Sequence, residues 1–263
     1  MPLNPDGQAL CDALLQARRS RIALPCSAAT DAALPDDETA YALQLAQGVA
    51  LGEWQPAALP RHWKSGGPRR DGPLAHAPLL PSGVQQSDAS ARGALDQLAF
   101  FQPMIEAEVA LRLGSDVSPA QAQALTPHSA EALIDAMALS IEVVDSRWQS
   151  LAAAGARLKL ADFQVHGALL LGPWQPWRDR DWAAQRGSVQ FGDAAPTDFQ
   201  GSHSLGTPQW LLPQWLRHLS RHGQTVPAGT VVTTGSWSGC VPVARGSRVR
   251  VRFDQLGELA LTL

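Results

Sequence analysis

The stretch Ile105-Glu106-Ala107-Glu108-Val109-Ala110-Leu111-Arg112-Leu113 sets two carboxylates two residues apart inside an apolar run. Such a run reads as a strand. Successive strand side chains alternate faces, so Glu106 and Glu108 point the same way. Two like charges on one apolar surface repel and lose solvation, which calls for a compensating charge. A hard divalent cation is the simplest compensator, because carboxylate oxygens are what such ions bind. The competing reading is a solvated strand face with two ordinary glutamates. A second segment, Ser140-Ile141-Glu142-Val143-Val144-Asp145-Ser146-Arg147-Trp148, again embeds acids in a β-branched run that reads as a strand. Glu142 and Asp145 fall on opposite faces of a regular strand, so one of them can join the Glu106/Glu108 pair. Glu142 lies deeper in the strand, whereas Asp145 also suits a strand-end ion pair with Arg147. Three carboxylates with water and a chelating substrate satisfy an octahedral Mg2+ or Mn2+ site.

Composition narrows the field. The 263 residues suffice for one large domain, or a small one plus a larger one. The net charge is −3 and no Lys/Arg block stands out, which argues against a nucleic-acid partner. No apolar run approaches the roughly 20 residues of a membrane span. The start, Met1-Pro2-Leu3-Asn4-Pro5-Asp6, has neither the basic nor the apolar region of a signal peptide. Cys11, Cys26 and Cys240 are scattered and odd in number, as expected of small apolar fillers in a reduced cytoplasm. The absence of CxxC, HExxH and a strand-linked GxGxxG leaves zinc-hydrolase and dinucleotide-binding classes without support.

Along the chain, Asn4-Pro5 predicts a helix start, followed by Leu10, Leu14 and Leu15 at helical spacing with Arg18-Arg19 near the end. Asp36-Asp37-Glu38 begins a second helix that stops near Gly52. Residues 56–97 are rich in Pro, Gly and Arg and read as loops with short strands. The acidic strand follows, then helix starts at Ser118-Pro119 and Thr126-Pro127, strands around 139–145 and 167–172, and a helix opened by Thr207-Pro208 that Pro213 would bend. The tail reads as strands at 230–234, 241–243, 249–253 and 259–263. These elements predict an α+β fold: a helical N-terminal region over 1–70 and a β-rich domain over 71–263 built as a mixed β-sheet or roll.

Several of these segments also resemble a known family. Glu106-Ala107-Glu108-Val109-Ala110 with Leu113-Gly114, Ile141 to Arg147, Ala161-Asp162 with Gly167, Leu170-Leu171-Gly172 and Ala228 to Ser236 are similar, in order and spacing, to the 2-keto-4-pentenoate hydratase branch of the fumarylacetoacetate hydrolase superfamily. The resemblance implies a small helical part packed on a large β-rich domain. It implies Mg2+ or Mn2+ held by Glu106, Glu108 and Glu142. Its substrates are 2-oxo or 2-hydroxy-dienoic acids from aromatic ring cleavage, which chelate the metal. A family lysine near the site matches Lys64.

The sequence departs from the family in two places. After Lys64 the run is Ser65-Gly66-Gly67-Pro68-Arg69-Arg70-Asp71-Gly72, a shorter loop without a clear counterpart for the family's acidic residue. Asp71 or His76 can replace it as a proton-transfer group, as can Asp162; an exposed Asp71 and a structural His76 are the blander alternatives. After Asp162 the family's small residues give way to Phe163-Gln164-Val165-His166, which reshapes the pocket and brings His166 forward as a substrate-binding candidate. Ser236 and Trp237, at a turn the family places near the site, are further candidates.

The expected reaction is hydration of a 2-hydroxy-2,4-dienoate to a 4-hydroxy-2-oxo acid. Decarboxylation of a 2-oxo-dienedioate is the nearest alternative. A catalytically impaired binding or scaffold subunit of the same fold is another. A closed homo-oligomer is the general expectation, and association with a related hydratase or decarboxylase subunit fits the family.

Overall fold

The computed structural model describes residues 3–88, 90 and 92–263. Met1 and Pro2, on which the reading of the chain start partly rests, lie outside the described residues. Helices α1 (Pro5–Ser20), α2 (Ala28–Ala32) and α3 (Asp37–Ala50) come first. Asn4 and Asp36 cap α1 and α3 by accepting the Gly7 and Thr39 backbone N–H groups. Strands β1 (His62–Gly66), β2 (Ala75–Pro78), β3 (Val84–Gln86) and β4 (Arg92–Ala94) cross the Pro- and Gly-rich stretch, and β5 (Met104–Leu113) is the acidic run. Capping boxes at Ser118 and Thr126 open α4 (Pro119–Ala124) and α5 (Pro127–Ala130). Then follow β6 (Ile134–Val144), α6 (Ala156–Ala161), β7 (His166–Leu171), β8 (Gln175–Pro176), β9 (Arg186–Phe191) and β10 (Thr197–Gln200). Helix α7 (Leu212–Ser220) precedes β11 (Val231–Thr233), β12 (Val241–Pro242), β13 (Arg248–Phe253) and β14 (Gly257–Thr262).

The larger sheet runs β2-β1-β11-β5-β6-β7-β3, with β12 on β5 and β8 on β6; the smaller runs β10-β9-β13-β14-β4. β1 precedes residue 70, where the helical region was expected to end, yet it pairs in parallel with β11 and antiparallel with β2 inside the larger sheet. The helix expected from Thr207 begins as a 3-10 turn over Pro208–Leu211, and α7 starts at Leu212. Pro213 therefore sits in the first turn, where its missing N–H is not needed, and does not bend the helix.

Alternation decides which sheet face is buried in the main core. Ile105, Ala107, Val109 and Leu111 of β5 and Met137, Leu139, Ile141 and Val143 of β6 pack with Val251 and Phe253 of the smaller sheet and Trp215 of α7. Each Val, Leu, Ile, Met or Phe side chain among them contributes roughly 1.5–3 kcal/mol. A separate cluster joins Leu10, Leu14 and Leu43 of the N-terminal helices to Trp148 and Leu158. With one face of β5 and β6 committed to apolar packing, their acids must lie on the other.

Candidate metal centre

β5 and β6 are antiparallel, with Glu106 opposite Glu142 and Glu108 opposite Ser140. Directly opposed residues share a sheet face, so three carboxylates converge, and one oxygen from each lies within 4.8 Å of the others. Pairing thus selects Glu142 over Asp145. The Asp145 carboxylate turns to the other face and accepts the Phe101 and Gln102 N–H groups at 2.9 and 2.8 Å. The expected Asp145–Arg147 pair is stretched to 4.0 Å.

Neighbouring strands supply the surroundings. Lys64 on β1 is in register with Thr233 on β11. Lys64 Nζ lies 2.5 Å from Glu142 Oε1 and donates to the Gln164 carbonyl at 3.2 Å. Thr233 Oγ1 donates to Glu108 Oε2 and lies 3.0 Å from Ser140 Oγ. Burial, then repulsion by Glu142 and Glu106, pushes the Glu108 carboxyl up to about 8. Burial also raises Glu106, against the pull of Lys64. Burial opposes the charge on Glu142 as well, but Lys64 and His166 outweigh it and hold this carboxyl below its ordinary value. Lys64 loses solvation, and the three carboxylates more than restore its charge.

The donor set fits a hard divalent cation. All donors are carboxylate oxygens, Lys64 is the lysine that pairs with the triad, and Glu142 Oε2 is buried with no hydrogen-bond partner among the described residues. The site opens on a cavity of about 420 Å3 lined by Lys64, Glu106, Glu108, Lys159, Gln164, Ser204, Ser236 and Cys240 among others.

The structure brings together some of the sequence candidates and disperses the rest. Lys64, Glu106 and Glu108 line the cavity, with Glu142 behind them, and His166 Nδ1 lies 3.0 Å from Glu142 Oε1. Ser236 lines the cavity and donates to the Gly239 carbonyl at 2.9 Å. Asp71 is exposed and pairs with Arg69 at 3.0 Å. His76 is buried on the other side of β1. Strand alternation points Ser65 away from Lys64, and the His76 ring bonds to Ser65 Oγ at 2.8 Å and packs on His218. Asp162 is fully buried in a structural network, accepting from the Arg147 backbone N–H and guanidinium and from Arg18 Nη2 at 3.2 Å. Trp237 is buried among Trp182, His203 and Phe253, off the cavity lining.

Sequence reasoning missed Gln164, Thr233, Cys240 and Lys159. Thr233 is visible only through register. Gln164 owes its place to the turn Phe163-Gln164-Val165, whose φ angles are 52, 51 and 55°. Left-handed backbone costs a non-glycine residue about 1–2 kcal/mol. Here it aims the Gln164 carbonyl at Lys64.

Residues 55–263 match the family described as fumarylacetoacetate (FAA) hydrolase C-terminal. A 2-keto-4-pentenoate hydratase from Dechloromonas aromatica (strain RCB) is 33% identical over 61% of this chain and 60% of its own length. A 4-oxalocrotonate decarboxylase from a Pseudomonas species is 25% identical over 65% of this chain and 64% of its own. These matches thus span less than two thirds of either relative. In fold, the chain is similar to 4-oxalocrotonate decarboxylase from Pseudomonas putida G7 complexed with magnesium and adipate, with a TM-score of 0.80 at 19% identity over 97% of this chain and 96% of the other. From the match over residues 55–263, the chain belongs to the fumarylacetoacetate hydrolase C-terminal family.

Proposed function

We propose that the chain is a divalent-metal-dependent enzyme acting on a small 2-oxo or 2-hydroxy-dienoic acid, and that its reaction is hydration of a 2-hydroxy-2,4-dienoate. The carrying observation is the convergence of Glu106, Glu108 and Glu142 beside Lys64 on a cavity open to solvent. Glu106, Glu108 and Glu142 would hold Mg2+ or Mn2+. When bound, the cation supplies Lewis acidity that favours enolate charge on a chelated oxo acid.

The chain's own groups do the rest. The Lys64 ammonium stays protonated against its three acids, so it donates to substrate oxygens and does not act as a base. Ser204 and Ser236 offer hydroxyls to the same cavity. Moving a proton from the 2-hydroxyl to the far end of the diene gives the conjugated ketone. Water then adds across the remaining double bond to give the 4-hydroxy-2-oxo acid.

One observation favours the second reading, decarboxylation of a 2-oxo-dienedioate. Asp71, His76 and Asp162 all lie off the cavity lining, and no histidine or aspartate lines it among the described residues. Loss of carbon dioxide needs an electron sink and no added water. Lys159 lines the cavity without an ion-pair partner among the described residues and can meet a second carboxylate. The dicarboxylate adipate in the similar structure supports that use.

Mass analysis of products from the purified protein with Mg2+ separates the two: gain of water from the dienoate, or loss of carbon dioxide from the dienedioate. Loss of turnover in Glu106→Gln supports either enzyme reading. No turnover of either substrate by the wild type would contradict both and leave the scaffold-subunit reading. Among the described residues, no helix is long and apolar enough to cross a membrane. A cytoplasmic homo-oligomer is part of the proposal.

A further inference from the structure

Glu142 Oε1 receives both Lys64 Nζ, at 2.5 Å, and His166 Nδ1, at 3.0 Å, while Oε2 is buried with no hydrogen-bond partner among the described residues. A carboxylate oxygen only accepts, so His166 Nδ1 carries the proton. His166 Nε2 is also buried and, among the described residues, unpartnered. That suits the lone pair of a neutral ring better than a second N–H, because an unsatisfied donor would be expensive there.

His166 reaches this oxygen through a backbone irregularity. Between β6 and β7, Glu142 faces Leu169 and Val143 faces Ala168, but Val144 faces His166, which leaves Gly167 as an extra residue. In unbroken register His166 would face Asp145, on the side of the sheet away from Glu142. The bulge returns it to the carboxylate side. Glycine is required, since a Cβ at position 167 would lie 2.8 Å from both the Val143 carbonyl oxygen and the Asp145 Cβ. The flanks are fastened by Arg147 Nη1 donating to the His166 carbonyl at 2.9 Å and Asp145 N–H donating to the Val165 carbonyl at 2.8 Å.

We infer that His166 is a positioning residue: placed by the Gly167 bulge, it engages one oxygen of Glu142 and so presents the other to the divalent cation. The inference rests on the divalent-cation reading of the triad. Partners of this kind, one bond behind a metal-binding group, change metal affinity by about 10–100-fold when removed.

The test is Mn2+ titration of the full chain without substrate, with the free ion followed by electron paramagnetic resonance. His166→Asn keeps an N–H donor at the branch position of Nδ1, whereas His166→Gln moves it one carbon outward and His166→Phe removes it. Affinity should stay within a few-fold in His166→Asn and fall about 10–100-fold in His166→Gln and His166→Phe. Circular dichroism of each metal-free variant checks the fold. For any variant that does not fold, 15N resonances of histidine in the wild type decide instead, and His166 should carry its proton on Nδ1. Wild-type affinity in His166→Phe, or an Nε2-protonated tautomer, overturns this inference while the metal reading stands. Failure of the wild type to bind Mn2+ overturns the metal reading, and this inference with it.

Discussion

Replacing Glu108 with Gln should stabilise the metal-free protein while destroying its response to metal. Glu108 is buried against two other carboxylates, and its carboxyl is pushed up from 4.5 to about 8 by burial, then by Glu142 and Glu106. A folded-state value above the unfolded one means that the contribution of this group is fully present below pH 4.5 and lost as the pH rises towards 8. Raising the pH from 4.5 to 7 costs about 1.36 kcal/mol per pH unit, or about 3 kcal/mol. Gln is isosteric, and its carbonyl can still accept from Thr233 Oγ1. Allowing about 1 kcal/mol for imperfect replacement of that hydrogen bond leaves a net gain of about 2 kcal/mol at pH 7. For a chain of this size that raises Tm by about 4–8 °C. The assay is thermal and urea unfolding in chelator at pH 7 and pH 5. The gain should shrink below about 1 kcal/mol at pH 5, where little of the penalty has accrued. A Glu108→Gln variant that is less stable than wild type at pH 7 in chelator would refute the account of mutual repulsion.

Other expectations follow from the surroundings of the site. His76 and His218 meet with ring centroids 4.7 Å apart and planes tilted by 41°, and burial holds them at about 3 and about 2, below the ordinary 6.5. The unfolded chain therefore binds more protons below pH 6.5, so each histidine should cost about 2 kcal/mol of stability between pH 7 and pH 5. His218→Gln should reduce that acid sensitivity in urea titrations, and an unchanged pH dependence would contradict the assignment. Asp162→Asn strips a charge from the buried Arg147 and half-buried Arg18 guanidiniums and should lower unfolding stability by about 3–5 kcal/mol; a loss below about 1 kcal/mol would show the network is dispensable. Asp71 is exposed and paired with Arg69, so Asp71→Asn should leave kcat/KM within about twofold, the range of a neutral surface change. A much larger fall would return Asp71 to the proton-transfer role first considered for it.

Much of the molecule was legible where local chemistry and global fold agree. Asn4, Asp36, Ser118 and Thr126 all cap the helices they were expected to start. The acidic strand was readable over residues 104–113 because its apolar positions repeat every second residue. The resemblance already implied Glu142, but from the residues alone the choice of Glu142 over Asp145 needed the β5–β6 register, which no single strand contains. Between the two readings of His76, proton transfer or structure, the sequence could not choose, because a four-residue strand does not declare its inner face. The arginine network around Asp162 was not legible because one of its partners, Arg18, is 144 residues away. The turn over 163–165 carries no glycine to announce its left-handed backbone. Gly167 was visible, but its meaning as a bulge appears only against β6. Trp237 follows Gly235, whose φ of 105° interrupts the chain between β11 and β12 as it runs antiparallel along β5, and its backbone N–H then bonds the Ala107 carbonyl on β5. The ring is thereby placed in the core and not in the cavity.

The central claim is that Glu106, Glu108 and Glu142 form a chelating divalent-cation site on the cavity. Calorimetric titration of Mg2+ and Mn2+ into chelator-treated protein, with and without oxalate or pyruvate as a substrate mimic, tests it most directly when wild type is run beside Glu108→Gln. The account expects binding that tightens with the mimic and disappears in the variant. Absence of binding in the wild type, or equal binding in both proteins, would contradict it.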